Sequence, residues 1–132
     1  MEGRKRVLLV DDEVRLAFLL KQSLLSLGPE YEIQTANSAR DALRIMEDEP
    51  CDLVITDYRM EGLSGLDLMQ AIRSSRPETL VILMTAYGSD EVAAAAERLE
   101  AYRYLIKPFP IEEFKRLVKE ALQAPSPLAQ SA

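Results

Sequence analysis

Five short segments that read as strands alternate with five that read as helices, and no other property of the chain narrows its fold as much. Val7-Leu8-Leu9-Val10, Leu53-Val54-Ile55-Thr56, Leu80-Val81-Ile82-Leu83-Met84 and Tyr104-Leu105-Ile106 are apolar runs too short for helices and rich in β-branched residues. Such runs read as strands buried on both faces. Tyr31 to Ala36 alternates more weakly and is expected at a sheet edge. Helical periodicity fills the gaps. The first helix is expected from about Glu13 to Leu27, stopped by Gly28-Pro29. The second starts at Ser38, with Asp41 three residues on as a capping-box-like pair and Ala39, Ala42, Leu43 and Met46 as its buried stripe. The third is expected from about Gly65 to Ser75, ending before Pro77. The fourth starts near Ser89 and carries Val92 and an alanine run. The fifth follows Pro110, with Phe114, Leu117, Val118, Ala121 and Leu122 on one face.

Repeated strand–helix units imply a parallel sheet with right-handed crossovers and helices on both faces. The expected fold is therefore α/β, a (βα)5 doubly wound five-stranded parallel sheet in the order 2-1-3-4-5. That order reverses direction between strands 1 and 3, and ligands bind at such a switch point. The runs end there in polar residues of different kinds: Asp11-Asp12, Asp57, Thr85 and Lys107-Pro108. Parallel neighbouring strands would bring three carboxylates, a hydroxyl and an ammonium to one edge of one sheet.

Composition limits the alternatives. The 132 residues fit one domain, expected over residues 1–123, followed by a Pro/Ser/Ala/Gln-rich segment, 124–132, read as a disordered tail or the start of a linker. The net charge of −6 argues against direct nucleic-acid binding and against an anionic membrane surface. There is no histidine, and Cys51 is the single cysteine, which excludes an internal disulfide and a zinc site of the usual kind. Cys51 reads as a small packing residue. No run approaches a membrane span, and the start is too charged and short for a signal peptide, so a cytoplasmic location is expected.

Three carboxylates in one pocket repel one another, and a divalent cation with oxygen ligands removes that conflict. A carboxylate can also attack phosphorus and hold an acyl phosphate, whose oxygens a metal, Lys107 and the Thr85 hydroxyl would take up. Each residue alone has a plainer reading. Asp12 would cap the first helix, Thr85 a turn, Lys107 would be a solvated charge and Asp57 a turn residue. Four strand ends with complementary charges are hard to attribute to capping, and Asp57, with no helix directly after it, least of all.

The segments VLLVDDE, LVITDYRMEGLSGLDL, VILMTAY and YLIKPF, in this order, resemble the receiver domain of two-component response regulators, and the likeness spans about Lys5 to Leu122. The resemblance implies the flavodoxin-like, CheY-like fold and a Mg2+ (or Mn2+) cofactor. Asp57 resembles the phosphoacceptor, Asp12 the direct metal-binding acid and Asp11 its partner. The backbone carbonyl of Arg59 matches the third protein metal ligand. Thr85 resembles the switch hydroxyl, Lys107 the phosphate-pairing lysine, and Tyr104 the aromatic whose rotamer reports phosphorylation. Lys107-Pro108 matches the family's usual cis peptide. Two departures stand out. Met60-Glu61-Gly62 replaces a frequent Met-Pro-Gly, and Glu100 stands where related chains often have glycine.

The resemblance implies a phosphorylation switch rather than an enzyme in the ordinary sense, though one that promotes its own phosphotransfer and autodephosphorylation. Its partners would be a sensor histidine kinase or a histidine phosphotransfer protein, and a homodimer through the fourth helix, fifth strand and fifth helix. The stretch Ala101 to Lys107 is most similar to receivers attached to transcriptional regulators. A pseudo-receiver acting as a phosphorylation-independent interaction module is the alternative. A flavin enzyme of the same topology is disfavoured, because Asp11-Asp12-Glu13 would repel a phosphate where a flavin site needs a Gly/Ser/Thr-rich loop. Leu16, Phe18, Leu19, Leu20, Leu24, Leu25 and Leu27 are more apolar residues than one buried helix face needs. Most are expected in the core. Phe18 and Leu25 are the candidates for kinase docking, with packing against the fifth helix as the alternative.

Overall fold

The computed structural model describes residues 4–86 and 88–123, so the expected tail at 124–132 lies outside the described residues. Within them the ten elements follow in the expected alternation: β1 (Lys5–Val10), α1 (Val14–Leu25), β2 (Tyr31–Ala36), α2 (Ala39–Asp48), β3 (Leu53–Asp57), α3 (Gly65–Ser75), β4 (Leu80–Thr85), α4 (Asp90–Arg98), β5 (Arg103–Ile106) and α5 (Ile111–Gln123). All strand pairings are parallel, in the order β2-β1-β3-β4-β5. The weakly alternating β2 is an edge strand, as its pattern predicts.

Strand alternation sorts the core into two layers. Val7, Leu9, Leu53, Ile55, Ile82, Met84 and Leu105 pack with Leu20 and Leu24 of α1 and with Phe114, Val118, Ala121 and Leu122 of α5. Leu8, Val10, Val54, Val81 and Leu83 face the other way, against α2, α3 and α4. Ala39, Ala42 and Met46 supply α2's buried stripe. Each fully buried large side chain contributes roughly 1.5–3 kcal/mol of burial. Cys51 is buried, and that burial pushes its thiol up to about 11, which suits the packing role read from sequence.

The helix starts follow short-range chemistry. Ser38 and Ser89 cap α2 and α4 by accepting the N–H of Asp41 and of Val92. The reciprocal half of the box is absent at Ser38, where Asp41 instead sits 3.8 Å from Arg44. The complete capping box is at α3, where Ser64 and Asp67 satisfy each other's backbone N–H groups. The same Ser-x-x-Asp spacing is visible in the sequence at both places, and the box is complete only at α3. At the start of α1 the cap residue is Glu13, without a side-chain cap bond, so Asp12 does not play the capping role.

Glu100, flagged by its sequence, takes a left-handed φ of +60° at the turn from α4 to β5. That conformation costs a non-glycine residue about 1 kcal/mol. The turn is held by Arg73 of α3, a residue with no distinctive sequence signal. Its guanidinium donates to the carbonyls of Leu99 (2.9 Å), Glu100 (3.3 Å), Thr79 (2.7 Å) and Pro77 (3.3 Å). Arg73→Ala strips four carbonyls of a half-buried cationic donor and is expected to cost about 2 kcal/mol in urea unfolding. Arg73→Lys should recover only part of it, because one ammonium cannot span the fork. Full recovery by lysine would show that charge, not geometry, holds the turn.

Candidate phosphoacceptor and metal site

Register explains why the polar residues meet. Val10 pairs with Ala36 and with Thr56, so Asp11 and Asp57 emerge level with each other from adjacent strands. Asp57 pairs with Met84, and Thr85 with Ile106, which places Lys107 one step beyond β5 at the same edge. Backbone bonds extend the ladder past the strands: Asp11 N–H to Ala36 O (3.1 Å), Tyr58 N–H to Met84 O (2.7 Å) and Lys107 N–H to Thr85 O (2.7 Å). The peptide between Lys107 and Pro108 is cis.

The carboxylates of Asp11, Asp12 and Asp57 offer oxygens that all lie within 4.8 Å of one another. Asp11 is 2% exposed and Asp57 9%, whereas Asp12 is exposed. The Lys107 Nζ lies 3.2 Å from Asp11 Oδ2 and 3.2 Å from Asp57 Oδ1 and so bridges the two buried acids. Asp11 Oδ1 accepts the N–H of Glu13 at 2.9 Å, and Asp12 Oδ2 accepts that of Glu61 at 3.2 Å. Gly65 closes the site from below. Its N–H donates to Tyr58 O (2.8 Å), and a Cβ there would overlap the Asp57 carbonyl oxygen.

Electrostatics follow from this packing. Burial raises the Asp57 carboxyl above its ordinary value of 3.8; Lys107 opposes the rise, and Asp11 and Asp12 add to it. Burial alone would lower the Lys107 ammonium, but Asp11 and then Asp57 outweigh burial and hold it above its ordinary value. A single ammonium is therefore shared by two of the three carboxylates. The donor set is hard oxygen in a partly open pocket, which fits a small divalent cation that keeps several waters.

Thr85 and Tyr104 belong to the other side of the sheet edge. Thr85 is 1% exposed at the end of β4, one residue out of phase with Met84 and therefore on the side of Leu83. Tyr104 is half-buried against the cluster that contains Leu83, Val92 and Ala96. Its hydroxyl is buried without a hydrogen-bond partner among the described residues. A Cβ at Gly88 would press on Ile106 Cδ1 at 2.8 Å while lying at ordinary contact distance, 3.5 Å, from the Tyr104 hydroxyl. The sequence-predicted residues thus form two adjoining groups, Asp11, Asp12, Asp57 and Lys107 in one and Thr85 and Tyr104 in the other. Arg59 is exposed in the loop after β3, on the same side of the strand ends as the acids' loops.

Helix α1 exposes more apolar surface than its sequence implies. Phe18 is 59% and Leu25 45% exposed. Leu19, expected in the core, is 59% exposed, and Val14, not singled out by sequence, is 69% exposed. A groove of about 310 Å³ runs from Asp11 past Val14, Phe18 and Lys21 to Asn37 and Asp41.

Comparisons with known proteins agree with this geometry. A family model described as response regulator receiver domain matches residues 7–119. The chain is 38% identical over 126 residues to the regulatory protein AtoC of Escherichia coli (strain K12), covering 96% of this chain and 27% of that protein. It is 36% identical over 130 residues to the response regulator protein PilR of Pseudomonas aeruginosa, covering 98% of this chain and 29% of that protein. The chain thus spans little more than a quarter of the length of these curated relatives. Among solved structures, the CheY-like receiver domain protein of Methanospirillum hungatei JF-1 superposes with a TM-score of 0.85 at 29% identity, over 90% of this chain and 94% of that one. The response regulator TrrA of Thermotoga maritima, solved in complex with Mg(2+)-BeF, gives 0.79 at 38% identity, over 89% and 98%. A family match over residues 7–119 and relatives more than 30% identical across nearly the whole chain place this protein in the response regulator receiver domain family of two-component signalling.

Proposed function

We propose that this chain is a phosphorylation switch in which Asp57 accepts a phosphoryl group from the phosphohistidine of a sensor histidine kinase or a histidine phosphotransfer protein. The observation that carries the reading is the Lys107 ammonium 3.2 Å from both Asp57 and Asp11, within an acidic cluster whose oxygens lie within 4.8 Å. A carboxylate oxygen of Asp57 attacks phosphorus, the P–N bond of the donor breaks, and the bond's electron pair leaves with the imidazole, which picks up a proton. The product is a mixed carboxylic–phosphoric anhydride on Asp57.

Asp11, Asp12 and Asp57, with the carbonyl of Arg59, are the residues that would hold Mg2+ or Mn2+, which when bound supplies the positive charge that three carboxylates and a phosphoryl group require. Lys107 already touches Asp57 and would pair with a phosphoryl oxygen there. Thr85, level with this edge, would donate its hydroxyl to another oxygen. Tyr104 shares its sheet face, so a shift of Thr85 would reach the Tyr104 ring through packing. A groove of about 220 Å³ lined by Ala93, Ala96, Glu97 and residues 101–104 lies along α4 and β5. With α5, this face is the proposed output and homodimer surface. Hydrolysis of the anhydride by water, promoted by the same groups, would reset the switch.

The relatives named above are regulatory proteins more than three times this chain's length, which supports a receiver that governs an output domain in a transcriptional regulator. Among the described residues no helix is long and apolar enough to cross a membrane. Docking of the kinase is assigned to the exposed side of α1 through Phe18 and Leu25.

Three outcomes are expected. With acetyl phosphate and magnesium, the wild type gains one phosphoryl group by intact-mass spectrometry and Asp57→Asn gains none; equal labelling of both would remove Asp57 from its role. The second concerns pH. A carboxyl raised by burial stabilises the fold fully below its unfolded value of 3.8, and that contribution is lost as pH rises through the higher folded value. The buried charge is then a cost at pH 7, so Asp57→Asn should melt higher than wild type there, and the gap should close as the pH falls toward 4. Magnesium should raise the wild-type midpoint more than the variant's. The third concerns docking. Phe18→Ala and Leu25→Ala should slow transfer from a cognate kinase about tenfold while leaving acetyl phosphate labelling unchanged, an anchor loss of about 1.4 kcal/mol each. Unchanged transfer rates would rule out this side of α1.

A further inference from the structure

The loop from β3 to α3 is tied at its base and at its tip by different means. At the base, Tyr58 N–H donates to Met84 O and Gly65 N–H to Tyr58 O, at 2.7 and 2.8 Å. The box between Ser64 and Asp67 closes the first turn of α3. At the tip, the backbone N–H of Glu61 donates to Asp12 Oδ2 at 3.2 Å, and Gly62 then turns the chain back at φ +84°.

The three acids of the site are not anchored alike. Asp11 and Asp57 share the Lys107 ammonium, and Asp11 also accepts the N–H of Glu13. Asp12 is exposed and is not one of the acids that Lys107 pairs with. An exposed aspartate without a fixed partner samples several rotamers, and ordering it as a ligand costs conformational entropy. The Glu61 N–H supplies a partner from the loop that faces it across the pocket.

We infer that the backbone N–H of Glu61 is a positioning donor that orients the Asp12 carboxylate for the divalent cation, a role that rests on the metal reading given above. A carboxylate oxygen has two lone pairs, so one can accept the N–H while the rest of the group faces a cation. Hydrogen bonds to the far side of a ligating group set its direction, and losing one typically weakens metal binding 10–100-fold. The donor depends on residue type at this one position. Proline, which often stands here in chains of this family, has no N–H, so the anchor follows from this chain's Glu61 and not from the shared acidic set. The Glu61 carboxylate is a separate matter: it adds a negative charge to the same loop and acts through long-range attraction of the cation.

Two substitutions separate the contributions. Glu61→Ala removes the charge and keeps the N–H; Glu61→Pro removes both. Magnesium affinity is measured by calorimetry for wild type and both variants, and exchange of the Glu61 amide is followed by NMR in the metal-free wild type and in Asp12→Ala. Glu61→Pro is expected to bind magnesium about tenfold or more weakly than Glu61→Ala, and Asp12→Ala to speed exchange of the Glu61 amide. Equal affinities of the Pro and Ala variants, in a protein whose wild type binds the metal, overturn the inference alone. A wild type that binds no magnesium overturns the metal reading of the site and this role with it. If Glu61→Pro fails to fold by circular dichroism, the exchange pair still decides: a Glu61 amide whose rate ignores Asp12→Ala has no anchor on Asp12.

Discussion

The Lys107 ammonium between Asp11 and Asp57 is the contact on which the rest of the site depends. Parallel register leaves the two acids no freedom to separate, because Val10 faces Thr56 and the next residues on both strands are aspartates. Two carboxylates at the buried end of a sheet would repel each other and lose hydration together. One shared cation relieves part of that conflict and leaves a net negative pocket. The residual charge gives the site its appetite for a divalent cation. Burial is the first cause of the raised Asp57 carboxyl; Lys107 opposes the rise, and the charges of Asp11 and Asp12 add to it.

A second constraint is the parity of the sheet. Residues that alternate along a strand face opposite layers, so Asp11, Asp57 and Lys107 belong with the α1 and α5 layer while Thr85 and Tyr104 belong with α2, α3 and α4. Thr85 ends β4 beside the acids, and its carbonyl accepts the N–H of Lys107. Tyr104, in register with Leu83, has a buried hydroxyl that lacks a partner among the described residues. An unsatisfied polar group in a packed setting favours any rearrangement that gives it a partner. The α4–β5 turn that borders this face is fastened to α3 by Arg73.

Much of this was legible in the residues. The order of the strands, the edge position of β2, the two-sided burial of β3 and the convergence of Asp11, Asp12, Asp57, Thr85 and Lys107 follow from hydrophobic period and the handedness of βαβ units. Helix limits moved by one or two residues at α1, where Glu13 became the cap and the chain left the helix at Leu25. Less legible were features set by distant partners. Leu19 and Val14 carry the same apolar side chains as core residues, and nothing local marks them as exposed. Arg73 reads as one more charge on a helix until the carbonyls of residues 77, 79, 99 and 100 gather around it. Ser38 and Ser64 share a spacing, yet only Ser64 completes its box.

The division between the two sources of order has a physical basis. Periodicity and residue chemistry act over a few positions, so the sequence by itself determined the elements, their succession and which side chains of each strand end are polar. Anything that depends on a backbone donor or on a shared ion needs two segments brought together by folding. The single ammonium serving two acids, the Glu61 N–H on Asp12 and the left-handed Glu100 under Arg73 are of that kind, and tertiary structure alone decided them. Backbone amides carry no residue-specific signature, and an ion pair joining residues 11, 57 and 107 leaves no trace in local pattern.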